Sequence, residues 1–198
     1  MILVYIEQDR GKVNEASFEA LTLARQLAEM SNAPLHASAI GSASDALVAR
    51  LGAFGVNTLH LAQHAQLNEY APAAYAQSIV EILNAHKPDA AFAAGAERGN
   101  EIMAHVAAKT NLPMAANCVQ AQTGEDYVVT RLRWGGSLLE QAKLKGATKL
   151  LTVAPNSIPA QAAAHAQTVA VDAFTPQLSE NDLRARVVAR VETASGKI

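Results

Sequence analysis

The residue types that most often do chemistry are present in this chain but dispersed. His60 and His64 stand four apart, a spacing that joins two metal ligands on a helix. His60, however, falls in an expected strand, where a four-residue step does not bring side chains together. With one cysteine and no clustered carboxylates, no metal site is expected. His36, His86, His105 and His165 are scattered and read as surface or packing residues. Ser42 and Ser137 lie in glycine turns but lack the G-x-S-x-G context of a nucleophile. No two carboxylates are spaced for acid–base work. Cys118 sits in the apolar setting AANCVQA with nothing basic beside it, the setting of a buried, inert thiol. These residues nominate no catalytic group.

Two stretches carry more. In PDAAFAAGAERGNEIMAHVAAKTNLP, Pro88 to Pro113, a short apolar strand runs into a glycine turn and an amphipathic helix. Such a junction presents backbone N–H groups at the C-terminal edge of a sheet, where an anion can be met. Gly95, Arg98, Gly99 and Asn100 are the residues at that edge, with Asn100 as the expected helix cap. The competing reading is that the glycines serve backbone geometry alone. No three-glycine dinucleotide fingerprint follows the first strand, which continues Glu7-Gln8-Asp9-Arg10-Gly11, and there is no Walker A lysine. The second stretch is Thr130 to Ser137, which gathers the only tryptophan, Trp134, with Arg131 and Arg133 at a Gly135-Gly136 turn. It reads either as a solvated arginine face with Trp134 plugging the core, or as an interface anchor built from Arg131, Arg133 and Trp134.

The elements that position these stretches follow from hydrophobic periodicity. Met1 to Ile6 is a continuous apolar strand, as expected where both faces are covered. A helix capped by Ser17 runs to about Met30, and Pro34 to Ile40 is a second strand. Leu47, Leu51 and Phe54 mark a helix stopped by Gly55, and Thr58 to Ala62 is a third strand. Tyr75, Ile79, Ile82, Leu83 and His86 mark the next helix. Ala90 to Ala94 and Met114 to Val119 are strands on either side of the helix carrying Ile102, Met103, Val106 and Ala107. This alternation predicts a parallel sheet covered by helices on both faces.

Beyond residue 120 the pattern changes. Asp126 to Trp134 alternates, Leu138 to Leu144 returns after the glycine turn, and Lys149 to Val153 follows a Lys145-Gly146 turn. These three strands predict an antiparallel meander. A Pro- and Ala-rich connection leads to a strand at Val169 to Phe174. Leu183 to Val191 has a period compatible with a strand or a short helix, and its valine content favours a strand. The division is a core over 1–120, a meander with C-terminal strands packing on the same domain over 121–191, and a linker over 192–198 leading to a domain not included.

Half of the residues are hydrophobic and the formal net charge is −2. That gives no electrostatic reason to expect nucleic acid. No run is long enough to span a bilayer and no signal peptide is visible. One cysteine fits a reducing compartment. A cytoplasmic protein is expected.

The motifs then resemble a known family. Val4-Tyr5-Ile6-Glu7 with the Gly11-Lys12 turn, Lys87-Pro88-Asp89 followed by Gly95-Ala96 and Gly99, and Thr130-Arg131 with Gly135-Gly136 are similar to the N-terminal domain of the electron transfer flavoprotein alpha subunit. The family hairpin reads Thr-Arg-Pro-x-Tyr-Gly-Gly-Asn; here Leu132, Trp134 and Ser137 stand in for the proline, tyrosine and asparagine. The resemblance implies a three-layer Rossmann-like fold of the adenine nucleotide alpha hydrolase-like class, extended by the antiparallel meander. It implies an electron carrier without catalytic residues of its own, pairing with a beta subunit. FAD belongs to the complete heterodimer and is held mainly by a second alpha-subunit domain, so this chain alone is not expected to bind it tightly. Dehydrogenases would donate electrons and a quinone-reducing oxidoreductase would accept them. The alternative is a stand-alone adenine-nucleotide-binding module that uses Gly95 to Asn100.

Overall fold

The structure is a computed structural model and describes residues 1–189. Its strands are β1 (Ile2–Tyr5), β2 (Gln8–Asp9), β3 (Lys12–Val13), β4 (Leu35–Ile40), β5 (Thr58–Ala62), β6 (Ala90–Ala94), β7 (Met114–Gln122), β8 (Tyr127–Arg133), β9 (Leu138–Leu144), β10 (Lys149–Val153) and β11 (Ala170–Phe174). The helices are α1 (Ala16–Ser31), α2 (Asp45–Ala53), α3 (Pro72–His86) and α4 (Glu97–Thr110). Nine strands form one sheet in the order β11-β5-β4-β1-β6-β10-β7-β8-β9, and β2 and β3 pair separately. All neighbours from β11 to β7 are parallel, while β8 runs antiparallel to both β7 and β9.

Side-chain alternation along β1 explains the layers. Ile2 and Val4 enter one core, with Phe18, Leu21 and Leu27 of α1 and Leu51 of α2. Leu3 and Tyr5 enter the other, with Ile79 of α3 and Ile102, Met103 and Val106 of α4. A strand buried on both faces needs apolar residues at every position, which is the pattern of Ile2 to Ile6.

Two expected caps are corrected. α1 begins at Ala16, so Ser17 lies in its first turn; its buried Oγ accepts the Glu7 N–H at 3.0 Å instead. The Ala16 N–H is met by Asn14 Oδ1 at 3.1 Å. Likewise α4 begins at Glu97 after Ala96. Asn100 is inside the helix, where its Nδ2 donates back to the Gly95 carbonyl at 2.9 Å.

The strand β10 is the main topological correction. It does not extend the meander but enters the parallel sheet between β6 and β7. All five of its residues are buried, which suits a central parallel strand and not an edge. Lys149 is accommodated by its aliphatic stem, with Nζ 5.0 Å from the centre of the Tyr127 ring. The chain then crosses behind α1 and α2. Gln161 N–H donates to Thr22 Oγ1, Asn156 N–H to Glu19, and Gln167 N–H to the Gly52 carbonyl. The far edge is β11, pairing β5 in parallel. Residues 184–189 carry no strand; a short 3-10 turn, Glu180–Leu183, precedes them, and the rest of the expected 183–191 strand lies outside the described residues.

Candidate functional site

The first candidate region is the C-terminal edge between β1 and β6. The chain leaves β1 toward β4 on one side and has β6 on the other, so this is the point where strand order reverses, the usual crevice for ligands in such sheets. A cavity of about 480 Å³ opens beside it, lined by Glu7, Asp9, Lys12, Glu15 and Arg98. Glu7 Oε1 accepts from Asn14 Nδ2 at 3.0 Å, whereas its buried Oε2 has no partner among the described residues. Gln8 Nε2 donates to the carbonyls of Ile40 and Ser42, both at 2.8 Å, and its buried Oε1 is also without a partner. Both orphaned atoms are acceptors.

The glycine turn beside this crevice is closely built. Gly95 N–H donates to the Val153 carbonyl at 2.7 Å, tying the turn to β10. Thr152 Oγ1 donates to Asn100 Oδ1 at 2.7 Å and accepts from Asn117 N–H at 2.9 Å. A Cβ on Gly99 would lie 2.0 Å from the Ala94 carbonyl oxygen, so only glycine lets the helix start so near the strand. Arg98 lies 3.6 Å from Asp9 and over the Tyr70 ring at 4.6 Å. Tyr70 in turn donates to Glu101 Oε2 at 2.7 Å. The edge therefore brings together Gly95, Arg98, Gly99 and Asn100 as the sequence suggests. Its arginine is engaged with a carboxylate and a ring, and Glu97 sits in the first helical turn. The crevice thus sets the donors Lys12 and Arg98 beside buried acceptors on Glu7 and Gln8 and the carboxylates of Asp9 and Glu15.

The second region is the β8–β9 hairpin at the other end of the sheet. Trp134 does not plug the core. It occupies the turn with φ +52°, followed by Gly135 and Gly136 at positive φ, and is 82 % exposed. Left-handed backbone is strained for a bulky residue. Leu138 and Leu139 beside it are also exposed. On the strand face shared with Leu138 and opposite that of Leu139, Glu140 accepts from Arg131 Nε and a guanidinium nitrogen at 3.2 and 3.0 Å, and pairs with Arg133 Nε at 3.1 Å. The hydrogen bond from Arg131 and the charge of both guanidinium groups hold the Glu140 carboxyl below the ordinary range. An exposed apolar tip, a bidentate arginine clamp and an edge strand thus occur together. The two arginines and the tryptophan are close, as expected, but they belong to a strand and its turn.

A third cluster was invisible in sequence. His36, His60, His86 and Asp172 come from β4, β5, the last residue of α3, and β11. His60 Nδ1 is 3.0 Å from Asp172 Oδ2, and His60 Nε2 is 3.0 Å from His36 Nδ1. The His86 ring lies over His60 with centroids 4.5 Å apart. Burial, reinforced by the neighbouring imidazoles, pushes His36 down to about 4. Burial also lowers His60, against the opposing pull of Asp172. Neither spacing nor composition signals this group, because parallel pairing sets His60 beside Asp172, while His36 comes from the neighbouring strand two residues out of that row and His86 from the end of α3. Cys118 is fully buried, and burial pushes its thiol up to about 12, the inert state expected of it.

The family model for the electron transfer flavoprotein domain matches residues 2–179. The chain belongs to this family. Among curated relatives, the electron transfer flavoprotein subunit alpha of Thermoanaerobacterium thermosaccharolyticum is 23 % identical over 200 residues, covering all of this chain and 61 % of that protein. Protein FixB of Azorhizobium caulinodans is 26 % identical over 164 residues, covering 80 % of this chain and 44 % of that protein. Acryloyl-CoA reductase electron transfer subunit beta of Anaerotignum propionicum is 25 % identical over 117 residues, covering 59 % and 32 %. The chain spans about half the length of the curated relatives it matches. Electron transfer flavoproteins are carriers, and the resemblance read from the Val4–Glu7, Gly95–Gly99 and Thr130–Gly136 motifs agrees with this membership. Among the described residues no helix is long and apolar enough to cross a membrane.

Proposed function

We propose that this chain is the scaffold half of an alpha-type electron transfer flavoprotein subunit, pairing with a beta-type subunit to support FAD-mediated electron transfer. The observation that carries the reading is the β8–β9 hairpin. It offers a strained, exposed Trp134, exposed Leu138 and Leu139 at the start of β9, and an Arg131–Glu140–Arg133 clamp on the face of Leu138. Arginine and tryptophan anchor interfaces disproportionately, and an exposed edge strand is an available pairing surface. FAD is held chiefly by groups outside this stretch. The buried acceptors of Glu7 and Gln8 and the carboxylates of Asp9 and Glu15 in the β1–β6 crevice disfavour a flavin diphosphate there, against the pull of Lys12 and Arg98. Gly95, Arg98, Gly99 and Asn100 accordingly act as a packed junction that fixes α4 to β6 and β10. Electrons pass from dehydrogenases to a quinone-reducing oxidoreductase through the whole assembly, and this chain contributes rigidity and recognition, with no catalytic residue.

The test is co-elution on gel filtration with a cognate beta-type subunit at micromolar concentration. A one-to-one complex supports the reading. Separate elution of both chains overturns it. Calorimetry with AMP, ADP and ATP checks the crevice: no heat is expected, and saturable binding would restore the stand-alone nucleotide-module reading.

A further inference from the structure

The row of histidines on the α3 face has a geometry that hydrogen bonding alone does not use up. β4, β5 and β11 are parallel neighbours, and their register sets Ser38 beside His60 and His60 beside Asp172. Residues in one such row point to the same face. His60 is 2 % exposed and therefore fixed. It turns Nδ1 toward Asp172 Oδ2 at 3.0 Å. His86, ending α3, lays its ring against His60 from the helix side. One ligand atom from each of His60, His86 and Asp172 lies within 4.8 Å of the other two.

We propose that His60, His86 and Asp172 form a binding site for a divalent first-row transition ion of the zinc class. Bonds of roughly 2.0–2.2 Å from zinc to imidazole nitrogen and carboxylate oxygen place tetrahedral ligand atoms about 3.3 Å apart. The His60–Asp172 pair already has nearly that separation. His86 and Asp172 are both exposed, so their side chains can close the remaining distance by rotation. Two imidazoles with one carboxylate suit zinc, nickel or copper and not calcium or magnesium, which prefer oxygen cages.

The surrounding residues fit this role. With His60 Nδ1 facing the ion, its Nε2–H donates to His36 Nδ1 at 3.0 Å. That is the outer hydrogen bond that usually fixes the ring and tautomer of a metal-bound histidine. Ser38, level with His60, keeps a buried hydroxyl oxygen without a protein partner among the described residues. Three protein ligands leave one coordination position open on the solvent side, where Asp172 is 58 % exposed. The ion would tie β11 to β5 and to α3. β11 reaches this edge only after the long crossing behind α1 and α2, and its pairing within the sheet is to β5 alone. The site thus departs from the sequence expectation of no metal, because its ligands come from three separate elements.

The competing account is a simple hydrogen-bonded row, and it makes opposite predictions. The untagged chain is stripped with EDTA and titrated with Zn²⁺ against a chromophoric chelator. One equivalent should bind with a dissociation constant of micromolar or lower. His86→Ala and Asp172→Asn should each weaken binding at least tenfold while leaving the far-UV circular dichroism unchanged. Zn²⁺ should raise the melting temperature of the parent chain, and this rise should vanish in both variants. Ca²⁺ and Mg²⁺ should do neither. Absence of a one-equivalent site overturns the proposal. So does binding that survives both substitutions, which would locate the ion elsewhere, at the His36–His60 pair or at another histidine.

Discussion

Replacing Trp134 by asparagine separates strain from recognition. Trp134 is 82 % exposed, so of the roughly 250 Å² a tryptophan can bury only about 45 Å² is at stake. At about 25 cal/mol per Å² the loss is about 1 kcal/mol. Against it stands the strain of a left-handed φ of +52°, about 1–2 kcal/mol for an L-residue and much smaller for asparagine. The two nearly cancel, and the melting temperature of the isolated chain should move by no more than about 4 °C. Association with the beta-type subunit should respond quite differently. A buried tryptophan anchor contributes about 2–4 kcal/mol, so the dissociation constant should rise about 30- to 1000-fold. Thermal denaturation and isothermal titration measure the two quantities. A loss of stability above about 2 kcal/mol would show that Trp134 packs within the fold. An unchanged dissociation constant would show that it anchors nothing.

Other predictions rest on independent features. Gly99→Ala forces a Cβ to within 2.0 Å of the Ala94 carbonyl, so it should destabilise the chain by about 2 kcal/mol or more in urea unfolding; a neutral result would refute the close-approach argument. Cys118, with its thiol pushed up by burial to about 12, should react with a thiol reagent at neutral pH only as fast as the protein opens, and rapid native-state labelling would contradict this. Asp182 gives a pH prediction. Burial works to raise its carboxyl, but hydrogen bonds from Lys109 and from the Ser179 hydroxyl and N–H outweigh this and hold it low. A depressed folded value means stability is fully present above the unfolded value of about 3.9 and is lost as pH falls below it. Asp182→Asn should lower stability at pH 7 and flatten the acid limb of the stability profile; an unchanged acid limb would remove Asp182 from the account.

What could be read from sequence was local. The run Ile2 to Ile6 announces a strand covered on both faces because every position must be apolar, and the two cores contain its residues alternately. The glycine turn at Gly95–Gly99 and the hairpin at Gly135-Gly136 were equally legible, since backbone geometry restricts the residue types allowed. Strand partnering was not. Lys149–Val153 follows a glycine turn after Leu144 and looks like a third meander strand, yet it pairs with β6 and β7. Only its uninterrupted burial distinguishes the two outcomes, and periodicity over five residues does not reveal burial. Ser17 and Asn100 misled for a related reason. Both are good capping types, but each spends its side chain on a distant or preceding backbone group, the Glu7 N–H and the Gly95 carbonyl. The His60, His86 and Asp172 group lies beyond any spacing rule, because sheet order alone sets residues 60 and 172 side by side.

Hydrogen–deuterium exchange of this chain with and without a beta-type subunit reads whether the β8–β9 hairpin is the docking surface. Complex formation should slow exchange across residues 131–140, at the Trp134 turn and the start of β9, while the β1–β6 crevice around Glu7 and Gly95 stays unchanged. A stable complex that leaves 131–140 exchanging as in the free chain would show that the hairpin is not that surface.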